Sequence, residues 1–112
     1  MKLYLATSSL NIDNILSTES VAPYSFYQLR EYGYSSYLSL DLIPFKNVII
    51  LFSGIPHFEI YDREHDSRPV ILEIEVNEDV NSLKHIGEYE GIHIYSTDTI
   101  IRLSPFNTRL LF

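Results

Sequence analysis

Val48-Ile49-Ile50-Leu51-Phe52 is a five-residue aliphatic and aromatic run with no polar alternation, closed by Ser53-Gly54-Ile55-Pro56. A run this short, bounded by turn formers, reads as a strand covered on both faces and as the most buried segment of the chain. Pro69 introduces a second strand, Val70-Ile71-Leu72-Glu73-Ile74-Glu75-Val76. Its simplest register turns Leu72, Ile74 and Val76 inward and Glu73 and Glu75 to water.

Outward from these two, Leu3 to Thr7 reads as a strand, and Leu38, Leu40 and Leu42 alternate with Ser39 and Asp41 before Pro44. Ile92-His93-Ile94-Tyr95 and Thr99-Ile100-Ile101-Arg102-Leu103 give two more, and the turn formers Ser96-Thr97-Asp98 between them predict a C-terminal hairpin. Helical spacing of Ile12, Ile15 and Leu16 behind Ser9 or Asn11 predicts a helix over about residues 10–18, with Asp13, Asn14 and Ser17 on its polar face. Ser25 heads a second helix to Tyr32, closed by Gly33. Residues 57–68 read as a short helix or a surface loop. Helices toward the front and strands behind give an α+β fold: a mixed, mostly antiparallel sheet with two or three short helices near the N-terminus.

The chain has 112 residues, 46% of them hydrophobic and 21% charged, which is the size and composition of one compact domain spanning residues 1–112. A formal net charge of −7 argues against a nucleic-acid partner, whose phosphates are bound mainly by Lys and Arg, and against an anionic membrane surface. Cys is absent, so disulfides, thiolate metal sites and thiol catalysis are excluded, and the cytoplasm is the expected compartment. No stretch reaches the length of a signal-peptide core or a membrane span. Arg109-Leu110-Leu111-Phe112 is apolar to its last residue, which predicts the N-terminal domain of a longer protein.

Residues that carry chemistry are sparse. Asp62-Arg63-Glu64-His65-Asp66, with His57 and Glu59 upstream, offers ligands for a divalent ion centred on His57, Glu64 and His65, but its spacing matches no metal motif and a solvated charged loop is the reading preferred. His93 shares a strand side with Tyr95 and reads either as a hydrogen-bonded structural residue or as a general base beside a carboxylate. Nucleophile-elbow, dinucleotide and phosphate-loop motifs are all missing from the sequence. Glu73, Glu75, Glu78, Glu88 and Glu90 read as an acidic face for a basic partner or as plain solubility. The aromatic stretch Tyr24, Phe26, Tyr27, Tyr32, Tyr34 and Tyr37 divides between core rings and rigid anchors for a protein partner.

Leu3-Tyr4-Leu5-Ala6-Thr7 followed by Asn14-Ile15-Leu16-Ser17-Thr18-Glu19-Ser20-Val21-Ala22-Pro23 resembles the opening of ADP-ribosyltransferase-like domains, including the DNA-modifying toxin and RES-type groups. There a strand ending in Tyr-His-x-Thr precedes a helix reading Asn-Ile-Leu-x-x-Gly-Leu-x-Pro. Ile50-Leu51-Phe52-Ser53 resembles their second core strand, and residues 70–76 a later one. The resemblance implies a nucleotide pocket near Tyr4, Thr7 and Phe52. Leu5 stands where the family's cofactor-binding histidine would be, and Phe52 where a stacking tyrosine is often found. Leucine cannot hydrogen-bond a ribose, so the resemblance points to a degenerate relative.

The functional expectation is therefore a non-catalytic protein-interaction module of a larger bacterial protein, with no cofactor and no metal. Its contact residues would be Tyr24, Tyr27, Tyr32, Tyr34 and Tyr37, and its partner another protein or the remainder of a longer chain. The alternative is an ADP-ribosyltransferase-like enzyme or nucleotide-binding domain using Tyr4, Thr7 and Phe52.

Overall fold

The computed structural model describes residues 1–23, 48–56 and 68–111. Its elements are β1 (Lys2–Ser8), α1 (Ser9–Thr18), β2 (Ser20–Val21), β3 (Ile49–Phe52), β4 (Pro69–Glu75), β5 (Lys84–Tyr89), β6 (Ile92–Thr97), β7 (Ile101–Arg102) and β8 (Thr108–Leu110). Six strands form one sheet in the order β5-β6-β3-β1-β4-β8, and β2 pairs with β7 beside it. All of these pairings are antiparallel. One helix lies among the described residues, so the two or three predicted are not borne out; the helix expected at 25–32 falls outside them, as do the strand at 38–42 and the segment 57–67.

β1 and β4 are inner neighbours, in unbroken register from Lys2 opposite Glu75 to Ser8 opposite Pro69. Because successive side chains point to opposite faces, an unbroken register sorts them into two layers. Leu3, Leu5, Leu51, Leu72, Ile74 and Ile49 face α1 and pack with Ile15, Val21, Ile101 and Leu103. Ala6, Ile50, Phe52, Ile71 and Ile94 build a second apolar layer on the opposite face. Both faces of β3 are thus covered and all four of its residues are buried, as its unbroken hydrophobic run predicts. Each buried side chain of this size contributes roughly 1.5–3 kcal/mol, so β3 is an apolar seam between the layers.

Four further expectations need correction. The first concerns the C-terminal hairpin: Ile101–Arg102 pairs with Ser20–Val21, and β6 pairs with β5 and β3 instead. Ser96 and Thr97 do not turn; they are buried strand residues opposite Ile50 and Ile49, so tertiary pairing overrides their turn preference. The real hairpin turns at Glu90 (φ 51°) and Gly91 (φ 83°), both left-handed as a two-residue connection requires. Second, Glu73 does not face water. Its side chain is only 16% exposed, because the face it shares with Ile71 is covered by Tyr4, Lys2 and Arg109.

Third, α1 starts at Ser9, which places Asn11 inside the helix, buried, with its amide donating to Thr7 Oγ1 at 3.4 Å. Ser9 instead ties the helix start to the residue before β4: it donates its N–H to the Arg68 carbonyl (2.9 Å), and its Oγ accepts from the Arg68 N–H (3.0 Å). Asp13, Asn14 and Ser17 are exposed, as expected. Within the apolar stripe Ile15 is fully buried but Leu16 is 47% exposed. Fourth, the glutamates form no single acidic face: Glu73 and Glu75 lie on one side of the sheet, Glu88 on the other opposite His93, and Glu90 in the hairpin turn. No described helix is long and apolar enough to cross a membrane.

Candidate functional site

Tyr4 and Phe52 are register partners across β1 and β3 and share the face opposite α1. Phe52 is 1% exposed, packed as a core ring, while Tyr4 is half-buried and its hydroxyl donates to Glu73 Oε2 at 3.3 Å. Thr7 lies on the helix face, an odd number of residues from Tyr4, and accepts from Asn11. The structure therefore brings Tyr4 and Phe52 together and sets Thr7 on the far side of the sheet. Tyr24, Tyr27, Tyr32, Tyr34 and Tyr37 lie outside the described residues, as do His57, Glu64 and His65.

His93 shares the helix face with Tyr95, as its strand position predicts, at the outer end of the sheet. Its Nδ1 lies 3.1 Å from His85 Nε2 and 3.5 Å from Glu88 Oε2, and the His85 ring meets Tyr95 edge-on at 5.4 Å. The carboxylate partner of the general-base reading is thus present. The two imidazoles, however, are engaged with each other, one donating to the other's lone pair. Among the described residues no group of three or more metal-ligating side chains is placed to hold an ion.

The feature that sequence reasoning missed is at the other end of the sheet. Ser104-Pro105-Phe106-Asn107 turns the chain into β8, and Asn107 locks that turn from inside. Its Oδ1 accepts from the Ser104 N–H (2.7 Å) and the Thr108 hydroxyl (2.7 Å), while its Nδ2 donates to the Arg102 carbonyl (3.0 Å). Ser104 Oγ accepts from the Phe106 N–H (3.2 Å), and the Ser104 carbonyl from the N–H groups of Asn107 (3.2 Å) and Thr108 (3.1 Å). Asn and Ser close turns in this way because their short side chains reach backbone groups two or three residues off. The turn holds Phe106 97% exposed. Pro beside a Ser and an Asn was a readable turn signal; what no local pattern reveals is that the ring between them packs on nothing.

Two concavities flank this turn. On the helix face Leu16, Leu72, Leu103, Pro105 and Leu110 line a mostly apolar hollow of about 240 Å³ with Glu19 at its rim. On the opposite face Lys2, Glu73, Glu75 and Arg109 line a polar one of about 410 Å³. There Glu73 Oε2 lies 3.5 Å from Arg109 Nη2, and Glu73 Oε1 3.8 Å from Lys2 Nζ, so opposite charges largely neutralise one another. No known protein family, curated protein or solved structure matches the chain.

Proposed function

We propose that this chain is a non-catalytic protein-recognition module that meets its partner at the β8 end of the sheet. One observation carries the reading: a phenylalanine held almost wholly in solvent by a turn closed with seven hydrogen bonds. Exposing an aromatic ring forgoes roughly 1.5–3 kcal/mol of burial, and a rigid ring recovers it in a partner's pocket with little further loss of entropy. At the same end of the sheet, on the helix face, Leu16 and Leu110 are also exposed and line the apolar hollow with Pro105. Exposed single hydrophobics are ordinary, whereas a ring anchored by its turn, at a sheet end that also carries an apolar hollow, has the make-up of an interface centre.

A photo-crosslinking residue at position 106, with one at Asn14 on the polar face of α1 as control, tests the reading in cells of the source organism. The expected result is a discrete protein adduct from position 106 alone. Equal adducts from both positions, or none from position 106, would refute it.

A further inference from the structure

The hydrogen-bond register of β8 determines what its outer edge offers. Asn107 and Leu111 both bond toward β4, through Glu75 N–H to the Asn107 carbonyl (2.7 Å) and Leu111 N–H to the Ile71 carbonyl (2.9 Å). Arg109, midway between them, is paired with Glu73 in the same register. In an antiparallel ladder alternate residues turn their backbone groups in and out, so Thr108 and Leu110 turn theirs away from β4. The Thr108 N–H is already closed onto Ser104. The Thr108 carbonyl and both backbone groups of Leu110 are left open, with no partner among the described residues.

Among the described strands the two sheet edges are treated differently. β5, at the far end, carries Lys84, His85 and Glu88 and a register shift between His85 and Gly87, which are devices that discourage an added strand. β8 has a regular register, neither proline nor bulge within Thr108–Leu110, and an outermost leucine that is 53% exposed. Leu110 stands opposite Leu72 on the helix face, where both line the apolar hollow. That hollow is smaller than the roughly 300–1,000 Å³ of a small-molecule site and suits one large side chain. Its rim charge, Glu19, is exposed and in no ion pair among the described residues, and its position is fixed by a left-handed φ of 52° and by its carbonyl accepting from Leu103 N–H at 2.8 Å.

We infer that β8 accepts an extended segment of a partner protein as a seventh strand of the sheet. The partner residue opposite Leu110 places an aliphatic or aromatic side chain in the hollow, and a same-face residue two positions away presents a basic group to Glu19. The backbone supplies the hydrogen bonds, the hollow selects the apolar residue, and Glu19 on a chain of net charge −7 selects the cation. This rests on the recognition reading and names the partner's chemistry.

The test is an amide-shift titration of the full chain with the acetylated, amidated pentapeptide Thr-Leu-Thr-Lys-Thr and its Lys-to-Glu counterpart. The expected result is saturable shifts at Leu110 and Leu103, at least about tenfold tighter for the lysine peptide, with the preference reversed in Glu19→Lys. Leu110→Pro removes a donor that the fold does not use, so it leaves the remaining amide spectrum in place and abolishes the shifts. Equal affinity for both peptides, or shifts that survive Leu110→Pro, would overturn the inference. So would absent shifts, even where position 106 crosslinks a partner, in which case the recognition reading stands without the added strand. A concentration-dependent dimer abolished by Leu110→Pro would assign the edge to a second copy and likewise overturn it.

Discussion

Tyr4 stands opposite Phe52 across the β1–β3 ladder, with the Phe52 ring in the core and the Tyr4 hydroxyl reaching Glu73 Oε2 at 3.3 Å. Glu73 also faces Lys2 and Arg109, so one half-buried carboxylate gathers three donors from two neighbouring strands. Tyr4→Phe deletes one of those donors and is expected to lower unfolding free energy by roughly 0.5–1.5 kcal/mol. Glu73→Ala, which strips the acceptor from all three, is expected to cost at least as much. Urea unfolding measures both, and a neutral Glu73→Ala would show that the carboxylate is not holding β1, β4 and β8 together.

Phe52→Ala is expected to cost about 3–5 kcal/mol, because the ring is enclosed by the layer containing Ala6, Ile50, Ile71 and Ile94. That enclosure also bears on nucleotide binding. Stacking a base on Phe52 would require unpacking the core, and Thr7 faces the other side of the sheet. Calorimetric titration of the chain with NAD is expected to give no binding heat; a saturable heat that Tyr4→Ala removes would favour the nucleotide pocket.

The β5–β6 turn places a glutamate at positive φ, a conformation costing of order 1 kcal/mol for a residue with a Cβ. Glu90→Asn is expected to raise the thermal midpoint, since asparagine tolerates this backbone better and Asn-Gly is the preferred pair for such a connection. Gly91 has open space where a Cβ would sit, so Gly91→Val is destabilising through its backbone alone, by roughly 1–2 kcal/mol. Differential scanning calorimetry of the two variants, shifting in opposite directions, checks the turn.

Asn107→Ala removes the side chain that closes the Phe106 turn while leaving the ring itself in place. It is expected to destabilise the domain by about 1–2 kcal/mol and to reduce partner crosslinking at position 106, since a mobile ring must be ordered on binding. Crosslinking unchanged in Asn107→Ala would mean that the rigidity of the turn is immaterial to recognition.

Elements whose local pattern agrees with their place in the fold were legible in the sequence. β1, α1, β3 and β4 announce themselves through alternation, helical spacing or an unbroken apolar run. β5 did not, because Lys84, His85, Gly87 and Glu88 carry no strand pattern; it exists by pairing with β6 across the Glu90–Gly91 turn. Ser96 and Thr97 misled for the complementary reason, being turn formers that β3 recruits into a buried strand. β8 was hidden because three residues are too few to show alternation, and only pairing with β4 makes them a strand. At the site, the side of the sheet on which Thr7 falls relative to Tyr4 followed from simple alternation. The solitude of Phe106, by contrast, is a property of the assembled surface.

β8 turns alternate backbone groups to solvent, and residue-resolved amide exchange of the isolated chain reads that alternation at single positions. Leu111, bonded to the Ile71 carbonyl, is expected to exchange measurably more slowly than Leu110, which should exchange at close to the rate of an unprotected peptide. A Leu110 amide protected to the same degree as that of Leu111 would contradict the claim.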